Sequence, residues 1–220
     1  MKTASYRFDI VGKTPLLMHQ DSVPWSDYLS HERTRLKEED RANFTPGDDR
    51  CPADTWRGYL HHDTKNVAIP ADMLQVALRK AGGGISLKGQ KTFKALTQSA
   101  IFFDALFLEF RCDGKLIPVS KIDAIKGRFA DQLVAVRAMG FDLFVKRAAV
   151  GRSKHIRVRP RFDSWSITGS LKVNADLIDA AILARLFSEA GTFFGLGDWR
   201  PGAPLAPGNF GIFEAKVTTV

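Results

Sequence analysis

Hydrophobic and polar residues alternate along two stretches of the chain. In SYRFDIVG, Tyr6, Phe8 and Ile10 stand against Arg7 and Asp9; in DSWSITGSLKV, Trp165, Ile167, Gly169, Leu171 and Val173 stand against Ser166, Thr168, Ser170 and Lys172. A period of two belongs to a strand with one buried face, so both stretches are predicted strands. Two others carry the helical period. IPADMLQVALRKAGGG sets Met73, Leu74, Ala77 and Ala81 on one stripe, with Pro70 near the N-terminus, Arg79 and Lys80 in the last turn and glycines to stop it. LIDAAILARLFSEA sets Ile178, Ala181, Ile182, the stem of Arg185, Leu186 and Ala190 on a wide stripe, with Asn174 or Asp176 as cap and Gly191 as the end. ALFLEFRCDGKLIPV predicts a strand, a tight turn at Asp113-Gly114 and a second strand over 116–119, and NFGIFEAKV predicts a closing strand.

Between the first strand and the first helix the pattern lapses. Residues 20–66 are polar and mixed in charge, and read as an insertion with one short helix before the break at Pro46 and Gly47. The remaining order is β-α-β-β-α-β. It predicts an α+β fold of ferredoxin-like (RRM-like) type over a single domain, 1–220, with the 20–66 insertion and an elaborated hairpin over 112–162. Two helices would cover one face of an antiparallel sheet and leave the other free, the face or rim that RNA-recognition modules of this topology use.

Composition narrows the partners. With 220 residues, 45% of them hydrophobic, the chain can bury one substantial core, and its formal net charge of +8 favours an acidic partner such as nucleic acid. No apolar run reaches membrane-spanning length and the N-terminus lacks a signal-peptide stretch, which predicts a soluble cytoplasmic protein with no membrane partner. Cys51 and Cys112 lie far apart without C-x-x-C spacing, so two reduced thiols are expected, with no disulfide, metal or cofactor.

Positive charge is concentrated in KRAAVGRSKHIRVRPRFDSW, where Lys146, Arg147, Arg152, Lys154, Arg157, Arg159 and Arg161 occur with no acidic residue before Asp163. If the segment is extended, His155, Arg157, Arg159 and Arg161 share one face and Ile156, Val158, Pro160 and Phe162 the other. Same-face side chains then repeat about every 6.6 Å, close to the phosphate spacing of an extended single strand. The competing reading is an edge strand whose arginines discourage edge-to-edge pairing, with Pro160 as an edge residue.

The segment FFGLGDWRPG places Gly195 and Gly197 after the last helix, where they permit unusual backbone angles and a close approach of another chain. Asp198 is free to pair with Arg200 across the turn, or Arg200 to meet a phosphate; Trp199 suits the core or a stacked base. A dinucleotide fingerprint is excluded, because here the helix precedes the glycines and a strand follows them. The lysine and hydroxyl of a phosphate-binding P-loop are missing as well.

A last helix, the loop GTFFGLGDWRPGAPLAPGNFG and a closing strand together resemble the signature of the RAMP superfamily, the repeat-associated proteins that form CRISPR effector complexes and process guide RNA. The first strand running into TPLLMH is similar to the way those proteins open, and the basic region sits where their RNA-contacting thumb would be. IPADML, RVRPRFDSW and GLGDWRP are similar to phage-borne proteins. The resemblance covers the first strand and the last third of the chain, and DWRP departs from the family's glycine pattern. It implies a ferredoxin-like RNA-binding core, with Gly195 and Gly197 packed against RNA or an adjacent subunit, and self-association or related subunits as partners.

The leading expectation is therefore a non-catalytic protein that binds single-stranded RNA or DNA, RNA by resemblance. Its contacts would come from Lys146, Arg147, Arg152, Lys154, His155, Arg157, Arg159, Arg161, Gly195, Gly197 and Arg200. One alternative is a metal-independent endoribonuclease with His31 or His19 as general base. Another is a structural or assembly protein of a mobile element. His61 and His62 would point to opposite faces of a strand and so suit one metal poorly.

Overall fold

The computed structural model describes residues 2–39, 52–87, 89, 91–150, 153–205 and 207–220, without the side chains of 32, 33, 35–39, 52–54, 147–150 and 153–156. Among these residues there are nine strands and seven α-helices. In chain order they are β1 (Thr3–Gly12), β2 (Leu16–Leu17), α1 (Val23–Glu39), α2 (Pro52–Gly58), β3 (Ala68–Pro70), α3 (Ala71–Gly82), α4 (Lys94–Ala100), β4 (Ile101–Phe103), β5 (Phe107–Cys112), α5 (Val119–Asp123), α6 (Phe129–Ala138), β6 (Asp142–Val150), β7 (Ser153–Phe162), β8 (Trp165–Asn174), α7 (Ala180–Glu189) and β9 (Phe213–Thr219). The fold is mixed, of helices packed on antiparallel sheets.

The main sheet runs β3-β5-β8-β1-β9, and β4 pairs with β8 on the edge that β5 also uses. Register follows the hydrophobic pattern, since a slip of one residue would turn every apolar side chain outward. Tyr6 pairs with Leu171 and Ile10 with Ile167, which sets the buried rows of β1 and β8 side by side. The helices α3 and α7 cover that face with Leu74, Ala77, Leu78 and Ala81 from one and Leu183, Leu186 and Phe187 from the other. Phe8 meets Phe187 at 5.4 Å between ring centroids. On the opposite face Arg7, Asp9, Glu109 and Arg111 form exposed ion pairs.

A second sheet, β2-β7-β6, extends the same core. Its apolar face brings Phe162 to 4.9 Å from Phe110 and 5.0 Å from Phe141. Strand β2 pairs with β7 at Arg161 and Phe162, so the edge reading fails at Arg161; from Ser153 to Pro160 the strand partner of β7 among the described residues is β6 alone. Pro160, which has no N–H to donate, uses its carbonyl to accept from Met18.

The structure corrects several sequence expectations. The 20–66 segment, read as an insertion, has its expected helix before the break at Pro46 and Gly47, but a long one, α1, and has a second helix, α2, after the break; Trp56 of α2 is wholly buried and donates to Gln132 Oε1 at 2.8 Å. The turn at Asp113-Gly114 forms, both residues having positive φ, but no strand follows over 116–119; Pro118 leads into α5 instead. The 112–162 region contains α5 and α6 before its hairpin. The cap of α7 is Asp179, whose carboxylate accepts from the Ile182 N–H. Its buried stripe runs through Leu183, Leu186 and Phe187 while Ala181 is exposed. Nor does Gly191 end that helix, which continues as a π-helical turn over Ala190–Phe194. Among the described residues no helix is long and apolar enough to cross a membrane. Cys112 is a buried free thiol, its pKa pushed up to about 12 by burial, while Cys51 lies outside the described residues.

Candidate nucleic-acid interface

Hairpin β6–β7 places its charges by register. Asp142, Phe144 and Lys146 lie opposite Arg161, Arg159 and Arg157, and directly paired residues of an antiparallel ladder share a face. The other face buries Leu143 and Val158 in the core, while Val145, paired with Val158, is half exposed. The two-faced strand expected from the sequence is therefore present, but its cationic face turns toward the glycine loop rather than directly into solvent.

The loop is held there by β2 and the residues around it. Leu17 O accepts from Asp198 N–H at 2.9 Å and Pro15 O from Gly211 N–H at 2.8 Å, while Leu196 N–H donates to Gly211 O at 2.9 Å. Gly197 has φ +75°, and a Cβ on it would lie 2.3 Å from Leu17 O. Gly195, with φ +61°, is also buried. Both glycines thus pack against this chain's own backbone in the structure.

Beyond the glycines the loop meets the hairpin. Asp198 Oδ2 lies 2.6 Å from Arg159 Nε and 3.4 Å from His19 Nδ1. The Arg159 contact is a close ion pair without hydrogen-bond alignment, and Arg159 Nη1 is buried with no hydrogen-bond partner among the described residues. Burial pushes the Asp198 carboxyl up, but neighbouring His19 and the Arg159 charge outweigh it and hold the group below the usual carboxylate range. Burial lowers the Arg159 pKa despite the opposing Asp198 charge. Trp199, in the left-handed region at φ +47°, turns its ring beneath two cations: Lys146 Nζ is 3.9 Å and Arg159 Cζ 4.4 Å from its centroid. Phe144 and Phe210 complete an aromatic cluster with Trp199.

The basic residues thereby separate into groups that the sequence could not distinguish. Arg159 is buried at 4% exposure and held by the loop. Arg161 is shared between Asp142 and Asp163, and burial of Asp142 is outweighed by Arg137 and Arg161, which keep its pKa low. Lys146 and Arg157, paired across the ladder, have no carboxylate within ion-pair distance among the described residues. The side chains of Arg147, Lys154 and His155, and all of Arg152, lie outside the described residues.

Asp198 does not pair with Arg200, as the sequence had allowed; Arg200 folds back so that its Nη1 donates to Gly197 O. Lys80 of α3 donates to Gly202 O at 2.7 Å on the same rim. Burial lowers its pKa, and the neighbouring charges of Arg200 and Arg79 lower it further.

Of the two candidate bases, His19 belongs to this junction, with its ring 4.3 Å from that of Tyr59. His31 stands on α1 with 81% of its side chain exposed, 3.9 Å from Asp27, and no contact joins it to the junction among the described residues. His61 is buried and His62 exposed, the opposite orientation expected of neighbours on extended chain. Sequence reading missed the Asp198–Arg159 pair and Gly211. Only the pair had a legible signal, a lone acid following the glycines in a strongly basic third of the chain. Compared with known proteins, the sequence matches no protein-family model and no curated protein.

Proposed function

We propose that this protein binds single-stranded nucleic acid, RNA by its RAMP-like pattern, along the rim where the basic hairpin meets the glycine loop. A ferredoxin-like reading of the core supports this: β1, α3, β5, β8, α7 and β9 follow one another as β-α-β-β-α-β, with sheet order β5-β8-β1-β9 and antiparallel neighbours. The observation that carries the proposal is the pair Lys146 and Arg157, without a carboxylate partner among the described residues, side by side on the ladder and next to the half-buried Trp199. Cations without carboxylate partners suit phosphates. The crowding of Lys80, Arg79 and Arg200 adds positive potential that a bound anion would relieve.

Binding of a short oligonucleotide, measured against salt, tests the assignment. Lys146→Gln with Arg157→Gln should lower the log–log salt slope by about 0.7 for each phosphate no longer neutralised, with the melting temperature unchanged. Arg159→Gln should instead destabilise the fold, because it leaves Asp198 without its buried partner. An unchanged slope in the folded double variant rules the interface out.

One observation favours a second reading, an endoribonuclease. His19 faces Asp198, which is the arrangement that orients a general base. Recovery of intact RNA after long incubation with excess protein decides against it; cleavage lost in His19→Ala decides for it.

A further inference from the structure

A pocket of about 230 Å³ opens beside the basic strand, between the start of α1, the end of α2 and β7. Its wall includes Gln20, the acidic Asp21, Trp25, Ser26, Tyr59 and Arg157. The pocket is a product of tight local packing. Gly58 lets Trp25 seat on α2, since a Cβ there would lie 2.5 Å from the indole, and the Gln20 N–H donates to Tyr59 O at 3.1 Å. Two of its features have no structural use within the chain. Gln20 Oε1 is a buried acceptor with no hydrogen-bond partner among the described residues, and Arg157 has no carboxylate partner there. A buried acceptor left unmade costs free energy, which a bound donor would recover.

We infer that this pocket takes a single unstacked nucleobase carrying an amino group on its pairing edge, drawn from the strand that the hairpin binds. The inference rests on the proposed function and adds a subsite to it. The parts match the ligand's chemistry: a planar ring has Tyr59 and Trp25 as apolar walls, its amino group has Gln20 Oε1 as acceptor, and its phosphate has the Arg157 guanidinium. Arg157 thus links the strand's backbone track to the pocket. The site uses α1 and α2, outside the β-α-β-β-α-β succession.

The test uses a short adenylate with one central 2-aminopurine, whose emission acrylamide quenches while the base is open to solvent. On saturation with the full chain the 2-aminopurine should become shielded from acrylamide several-fold. Ser26→Trp, at an exposed position on the pocket wall, should fill the space, abolish the shielding and weaken binding about five- to a hundredfold, the range of one stacked base. The salt slope and melting temperature should stay as in the unmodified chain. Gln20→Leu, which removes the unpartnered acceptor without altering the helices, should reduce the shielding as well. Binding with no shielding, or shielding that persists in folded Ser26→Trp, overturns the pocket while leaving the hairpin interface intact. No binding at all by the unmodified chain overturns both.

Discussion

His61 combines a titratable ring with a position that leaves it little use for charge. Its side chain is buried, its Nε2 has no hydrogen-bond partner among the described residues, and its pKa is lowered from 6.5 to about 4. Burial is the main cause; Asp72 opposes it, while His19 and His62 add to it. A folded-state pKa below the unfolded one means that the unfolded chain takes up the proton first. Stability is therefore complete above pH 6.5 and declines as the pH falls toward about 4, by roughly 3 kcal/mol. The depressed carboxylates Asp198 and Asp142 act in the same direction in a lower window, beneath their ordinary 3.8. Urea unfolding at stepped pH should show the upper decline, and His61→Leu should flatten it while leaving the lower one. A decline unchanged by His61→Leu would move its origin to another group.

At the scale of elements, the glycine loop is where backbone geometry is most constrained. Gly211 has φ +69° and a Cβ there would fall 1.8 Å from Leu196 O; Gly197 has the same restriction against Leu17 O. Gly202 has no positive φ, and its neighbours are mostly atoms of Phe194 at about 3 Å. Alanine at 197 or 211 combines left-handed strain of about 1–2 kcal/mol with a backbone clash, so each should lower the melting temperature well beyond Gly202→Ala. Equal losses at all three would mean that the loop adjusts freely. The sequence had marked Gly197 from its place after a helix but gave no reason to single out Gly211. Strands β1, β5, β8 and β9 and helices α3 and α7 were legible because each buries one regular face. Helix α6 was not, because Gln132 is buried, bonded to Trp56 and Gly127 O, while Val134 is 70% exposed, which inverts the pattern that periodicity reads. Helix α1 is largely polar and buries little beyond Leu29 among its described side chains. The cation row was legible as a row; the burial of Arg159 depended on Asp198, distant in sequence, while Arg161 pairs with Asp142 of the same hairpin and with nearby Asp163, and Arg157 pairs with no carboxylate among the described residues.

At the scale of the whole molecule, the aromatic residues of the 20–66 segment bear on assembly along a strand. Trp56 is buried, Trp25 seats on Gly58, Tyr59 lines the pocket by Arg157, and only Tyr28 is substantially exposed among the described ones; Phe44 lies outside them. Among the described residues the aromatics of that segment therefore pack mainly on their own domain, Tyr28 apart. Apolar surface for a neighbour lies on and between β4 and β5, where Leu106 is 85% and Phe102 54% exposed, with Phe107 beside them. A strand bound along the hairpin rim would bring successive copies close at high effective concentration, so even a small apolar contact between copies would favour adjacent occupancy. Complex mass on oligonucleotides of increasing length, measured by light scattering under saturating protein, is expected to rise in steps of one chain per fixed footprint. Leu106→Lys with Phe102→Lys should keep the footprint but reduce the cooperativity between adjacent copies, because it places like charges on the apolar patch. One chain bound at every length would exclude the array, and unchanged cooperativity in the double variant would place the contact elsewhere on the surface.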